Sequence, residues 1–193
     1  MPRDPALAAS LLVLGLVACT AAPARLGPDA DPRAARRLLE EAASAGPVRL
    51  ELNRPPSTSD GAMTVAQVAE QAARGVRGLE ARFAEQAEST DLARLLLLFD
   101  PPPGGLQPRL ACGAEALPPP VPEGPLRLQA VFCDGGAAVA DATAVAEGRT
   151  RADAERLIWR TTGRLFPDDY PETYGFDLFG RRVGVGVGGT FGY

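Results

Sequence analysis

The sequence predicts a single α+β domain: one small mixed or antiparallel sheet of about four strands, with two main helices on one face and an additional N-terminal helix. Three observations lead there. Period-two and period-3.6 apolar patterns succeed one another along the chain, each bounded by turn residues. The 193 residues are 46% hydrophobic and 23% charged, proportions of an ordinary globular protein of one-domain length. Its 21 glycines and 19 prolines gather between the patterned segments, so long loops are expected.

The first element after the N-terminal region is a helix beginning at Asp31. Aspartate can cap, Pro32 suits the first helical position, and Gly46-Pro47 supplies the stop. Ala35, Leu38, Leu39 and Ala42 share one face, with Arg36, Arg37, Glu40 and Glu41 on the other. This leaves open whether the helix packs on the domain or stands off as a stalk. Val48 to Leu52 alternates as a half-buried strand should. A polar loop through Pro55-Pro56 and Asp60-Gly61 follows. Val65, Val68, Ala69, Ala72, Val76, Leu79 and Phe83 then recur at steps of three and four, the strongest helical pattern in the chain. Gly75 and Gly78 interrupt its outer side, small enough to let another backbone come close.

Leu95 to Phe99 is apolar without alternation and reads as a central strand buried on both faces. A proline-rich loop over 101–125 carries Cys112. Leu126 to Phe132 alternates again and runs through Cys133 into Asp134-Gly135, a hairpin signal. The partner strand is Ala138 to Val145, weak in propensity because alanine favours helices. Thr150 with Asp153 resembles a capping box and opens the last helix, whose buried face is Ala154, Leu157, Ile158, Leu165 and Phe166 before Pro167 ends it. The closing Val183 to Gly189 reads either as an edge strand or as a tail.

Upstream of all this, Ala6 to Val17 is an apolar run of signal-peptide length, too short to span a bilayer. Leu16-Val17-Ala18-Cys19 resembles a lipobox, the processing site of bacterial lipoproteins. That resemblance implies diacylglycerol on the Cys19 thiol, cleavage before it and acylation of the new amine. Several acyl chains then give an anchor that one cannot, at about 0.8 kcal/mol per buried CH₂. The organisation expected is a signal peptide over 1–18, a lipid-proximal linker over 19–30, a periplasmic domain over 31–180 and a Gly/Val-rich tail over 181–193. Thr20, in the place where aspartate implies inner-membrane retention, favours the outer membrane.

Composition narrows the chemistry. All 20 basic residues are arginine, with no lysine and no histidine. An arginine-only alphabet fits a GC-rich coding bias and carries no functional weight. Its consequence is that mechanisms needing a histidine base or ligand, or a lysine Schiff base or phosphate ligand, are excluded. The net charge of −4 provides no overall attraction for nucleic acid, and no nucleic-acid partner is expected. Ser57 and Ser59 sit in no nucleophile turn, and the glycines at 184–189 precede no helix. Asp168, Asp169 and Glu172 lie close enough to suggest paired carboxylates, but lack calcium-loop spacing and read first as a solvated loop. No cofactor, metal or catalytic residue is assigned.

Two features remain. Cys112 and Cys133 are an even pair left after the lipid site, in a compartment that permits disulfides, and a bridge between them is expected. Seven of the eleven aromatic residues fall after residue 165. Tyr170, Tyr174, Phe176 and Phe179, interleaved with acids, form a candidate interaction surface, the alternative being core closure beneath the last helix.

The lipobox, the β-α-β-β-α body and the glycine-valine tail resemble small proteobacterial envelope lipoproteins. More remotely, over residues 48–166, the order of elements is similar to the periplasmic domains of the curli-secretion lipoprotein and of lipoprotein activators of penicillin-binding proteins. No functional residue carries over. The resemblance implies a membrane-tethered, non-catalytic module binding another envelope protein. A carboxylate-dependent cell-wall glycan hydrolase and a subunit of an envelope pore or transport complex are the competing readings.

Mass spectrometry of the mature N-terminus tests the anchor directly. A lipidated Cys19 is expected, and an unmodified terminus at any other residue defeats it.

Overall fold

The computed structural model describes residues 23–86, 92–168, 176–178 and 181–183. In chain order the elements are β1 (Arg25–Leu26), α1 (Pro32–Ala45), β2 (Val48–Leu52), β3 (Ser57–Thr58), β4 (Gly61–Ala62), α2 (Val65–Gly75), β5 (Phe83–Ala84), β6 (Ala93–Phe99), α3 (Pro108–Gly113), β7 (Arg127–Asp134), β8 (Ala137–Val145), α4 (Arg151–Leu165), β9 (Phe176–Leu178) and β10 (Arg181–Val183). The architecture is α+β, as the sequence predicts. Six strands make the main sheet rather than about four, in the order β1-β8-β7-β6-β2-β5. The two additional members are two-residue edge pieces, too short for any periodicity to reveal. The small pairs β3–β4 and β9–β10 stand apart from it.

The sheet is mixed. β2 runs parallel to β6 and β5, joined to them through α2, whereas β6, β7, β8 and β1 are antiparallel in succession. The Asp134-Gly135 signal produces the expected hairpin: Asp134 pairs with Ala137, and Gly135 takes φ +56° in the connection. Asp31 caps α1 through its carboxylate on the Ala34 amide, and Thr150 and Asp153 form the reciprocal box that opens α4. Thr64 and Gln67 form a second such box at the start of α2.

Two corrections concern α1 and α2. The α2 pattern was expected to run to Phe83, but the helix stops at Gly75, Gly78 turns the chain at φ +66°, and Phe83 lies on β5. The apolar residues after Gly75 continue a burial pattern, not a helix; two glycines within four residues make the left-handed turn cheap and the helix costly. Arg36 was placed on the outer face of α1 but is buried. Its guanidinium donates to the Arg77 carbonyl at 2.6 Å and to Glu40 at 2.7 Å, sealing the turn that follows α2. α1 therefore packs on the domain. The segment read as a lipid-proximal linker over 19–30 enters the sheet at Arg25–Leu26, which pair with Thr143 and Ala142.

One face of the sheet carries the main core. Val48, Leu50, Leu95, Leu97, Phe99, Leu128, Ala130 and Phe132 point to it, and α1, α2 and α4 cover it. Ala140, Ala142 and Ala144 on β8 show why a strand of poor β-propensity suits this place: their small side chains admit α4 at close range. Phe166, just past the end of α4, meets Phe132 edge to face with ring centroids 5.0 Å apart.

The edge strand β1 crosses β8 tightly. A Cβ on Gly27 would stand 1.9 Å from an Asp141 carboxylate oxygen, so any larger residue there would have to displace that carboxylate. Burial, reinforced by Asp29, raises the pKa of Asp141. The folded protein thus holds this proton more tightly than the unfolded chain, and stability falls as pH rises through the raised pKa.

The crossing of α2 and α4 rests on two glycines. A Cβ at Gly75 would meet the Thr162 hydroxyl at 1.8 Å and the Trp159 carbonyl at 2.7 Å, and one at Gly163 would meet the Gly75 carbonyl at 3.0 Å. Gly75→Ala should therefore lower stability by about 1–3 kcal/mol through overpacking. Gly113→Ala on α3, facing open space, should be neutral or mildly stabilising. Urea midpoints of the two variants make the comparison, and equal midpoints would show that the crossing tolerates a methyl group.

Candidate functional site

β6 is buried on both faces, as its unbroken apolar run predicts. Leu96 and Leu98 turn away from the main core, as do Val131 and Cys133 of the adjoining β7. They are covered by the proline-rich segment after Asp100 and by α3, a six-residue helix inside what the sequence presents only as a loop. β7, whose alternation suggests a half-buried strand, is for the same reason buried from Leu128 through Cys133.

This cover is tied down at several points. Cys112 on α3 and Cys133 on β7 are bridged, with Cα atoms 5.7 Å apart, and both are buried. Arg94, on the same sheet face, donates to the Cys112 carbonyl and approaches Glu51 at 3.5 Å. The Gln129 amide clasps Leu106, accepting its N–H at 2.8 Å and donating to its carbonyl at 2.7 Å. Where the cover leaves the sheet, Asp100 adopts φ +46°. Its buried carboxylate accepts from the Arg127 amide at 3.2 Å and pairs with Arg149, whose pKa is raised chiefly by that bond. Asn53, at the end of β2, completes the corner by exchanging two hydrogen bonds with the Phe99 backbone.

The chemistry of this corner is structural. Asp100 is committed to Arg149, Glu51 to Arg49 and Arg94, and Asp153 to Thr150 and Arg156. The Thr150 hydroxyl and amide hold Asp153 below its ordinary carboxylate range, as a cap requires. Among the described residues no three potential metal-ligating side chains gather, and no helix is long and apolar enough to cross a membrane.

Of the residues singled out from the sequence, Cys112 and Cys133 are brought together. Cys19, Tyr170, Tyr174 and Phe179 lie outside the described residues. Phe176 is described only as a backbone position of β9, paired with Val183. Of the three clustered acids, Asp168 is half-buried, and Asp169 and Glu172 lie outside the described residues.

Two exposed features escaped sequence reading. Among the described residues Leu92 and Leu110 are the most exposed large apolar side chains, at 66% and 59%. Both flank the disulfide: Leu110 is two residues before Cys112 on α3, and Leu92 packs beside Gly135, two residues after Cys133. The other feature lies on the helical face. Trp159 on α4 is exposed and carries the Arg77 guanidinium over its ring, 5.2 Å from the centroid. A groove between α4 and the end of β8 is lined by Val145, Glu147, Arg156, Leu157 and Arg160. Periodicity identifies what is buried, and neither feature belongs to a buried stripe.

Reduction of the Cys112–Cys133 bridge should cost roughly 3 kcal/mol, given the 21-residue separation and loop-closure entropy. Because the main core lies on the other face, far-ultraviolet circular dichroism should change little while the urea midpoint falls. An unchanged midpoint would mean that the polar ties alone hold the cover. Comparison with protein-family models, with curated proteins and with solved structures finds no match to this chain.

Proposed function

We propose that the protein is a lipid-anchored envelope module that binds another envelope protein without catalysis, through the face closed by the disulfide. The observation that carries this reading is the exposure of Leu110, two residues before Cys112, and of Leu92, which lies beside Gly135, two residues after Cys133. Exposed large apolar side chains held on a rigid support make economical anchors, because little conformational freedom remains to be lost on binding. Here the support is cross-linked, and α3 is fixed through Cys112 and Arg94.

The compartment fits the same reading. A buried disulfide is made and kept where the environment oxidises, which is where a lipobox sends a chain. Cys19 precedes Arg25 of β1 by six residues, so an acylated Cys19 would keep the sheet edge within roughly 20 Å of the bilayer, at about 3.5 Å per extended residue. A module so tethered meets partners in the periplasmic layer next to the membrane. The outer membrane is the favoured site.

Leu110→Asp with Leu92→Ser separates binding from folding, since exposed substitutions change stability by only about ±0.5 kcal/mol. Extracted in mild detergent, the native protein should migrate as a complex larger than the single acylated chain, and the double variant as that single chain with an unchanged melting temperature. Identical migration of the two would remove the disulfide face as the binding surface.

A further inference from the structure

The arginines of the chain are not evenly spread over α4. Successive helix positions are about 100° apart. Arg156, Trp159 and Arg160 therefore share the arc opposite the buried Ala154, Ile158, Thr161 and Leu165. Arg77, following α2, adds its guanidinium over the Trp159 ring. Trp159 is the one tryptophan of the protein. Among the described residues neither Arg77 nor Arg160 has an acid within salt-bridge distance, whereas Arg156 shares Asp153 at 3.2 Å. The outer arc of α4 thus combines a tryptophan with two arginines that have no acid in reach, in a protein of net charge −4.

The direction of the tether places that face. Arg25 pairs with Thr143 and Leu26 with Ala142, antiparallel, so Ala24 and Pro23 lie toward the Ala144–Val145 end of β8. Val145 and Ala144 form one wall of the groove whose other wall is Arg156, Leu157 and Arg160. The described chain therefore begins, at Pro23 and Ala24, by the end of β8 that lines the groove with these arginines.

We propose that the outer face of α4, through Trp159, Arg156 and Arg160 with Arg77 beside them, docks on the anionic phospholipid headgroups of the bilayer that anchors the chain. This rests on the lipid-anchor reading. Guanidinium groups match phosphate oxygens bidentately, and tryptophan favours the headgroup level, where its ring is apolar and its N–H stays wet. The attraction is local: at physiological salt, charges farther than about 8 Å are screened, so Glu147, Asp153 and Glu155 near the patch weaken it while distant acids do not. Docking would turn the face with Leu92 and Leu110 away from the membrane, toward the periplasm.

Because Trp159 is the sole tryptophan, its emission reports the contact. The mature chain, extracted from membranes and reconstituted, is compared on phosphatidylglycerol-containing and pure phosphatidylcholine vesicles bearing brominated acyl chains. Blue-shifted emission, quenched about twofold more strongly on the anionic vesicles, is expected, since each arginine near such a surface adds attraction. Arg77→Gln, Arg156→Gln and Arg160→Gln together should abolish that difference, with circular dichroism confirming the fold, and about 0.5 M salt should reduce it. Equal emission on both vesicles from an acylated, vesicle-bound chain, or a difference that survives the triple substitution, overturns the docking and leaves the anchor standing. A mature chain that lacks lipid and binds neither vesicle overturns both.

Discussion

The structure depends on a demand made by its central strand. Leu95, Leu96, Leu97, Leu98 and Phe99 are all buried, so β6 requires apolar cover on both sides of the sheet. One side is easily supplied: α1, α2 and α4 bring a continuous core. Among the described residues the other has Ala111, Cys112 and a few half-buried side chains to offer. A six-residue helix and a proline-rich segment bring little apolar surface to offset the entropy of ordering them. The remaining features of that face answer this deficit. The disulfide removes loop freedom from the unfolded chain, Gln129 and Arg94 satisfy backbone groups of the cover, and Asp100 with Arg149 fixes the point where it leaves the sheet.

Much of this was legible in the residues. β2, α4 and the β7–β8 hairpin stand where their patterns and turn residues place them, and the cysteine pair announced its own bridge. What was not legible shares a physical cause. β1 and β5 are two residues long and exist because a neighbouring strand offers unpaired backbone groups, a property of the partner and not of their own sequence. The buried Arg36 looked like a surface charge because the carbonyl it serves, that of Arg77, is 41 residues away. The early end of α2 was encoded by Gly75 and Gly78, yet the apolar spacing ran on through them, because Val76, Ala81 and Phe83 are also buried, in a turn and a strand. Burial is what apolar periodicity records; the helix was an inference from it.

The candidate sites divide along the same line. A disulfide can be read by counting cysteines, because the constraint is covalent. An interaction surface is made of residues that break no local rule: Leu110 is an unremarkable residue in a loop-like stretch, and Trp159 fits the helical pattern as well outside as inside. Only three-dimensional placement distinguishes them, Leu110 by its attachment to the bridge and Trp159 by the arginine over its ring. The aromatic stretch from Tyr170 to Phe179 stands out in the sequence by its interleaving with acids beyond the Pro167 stop, and apart from the backbone of Phe176–Leu178 it lies outside the described residues.

The two faces also differ in the way they are held, and that bears on how such a module would work. The helical face owes its stability to area: close crossing at Gly75 and Gly163, small alanines on β8, and Phe166 against Phe132. Exposed arginines can be added to that face or removed from it without touching the contacts that fold it. The disulfide face owes its order to a covalent link and a few charged or amide clamps, so its shape is sensitive to each of them. A surface that must be complementary to one partner gains from being rigid, whereas a surface that meets fluid headgroups needs only charge and an amphipathic ring. The division of labour proposed for the two faces therefore follows from how each is built. The same division sets how the fold depends on redox conditions: in a reducing environment the helical face would persist, while the face carrying Leu92 and Leu110 would lose its staple.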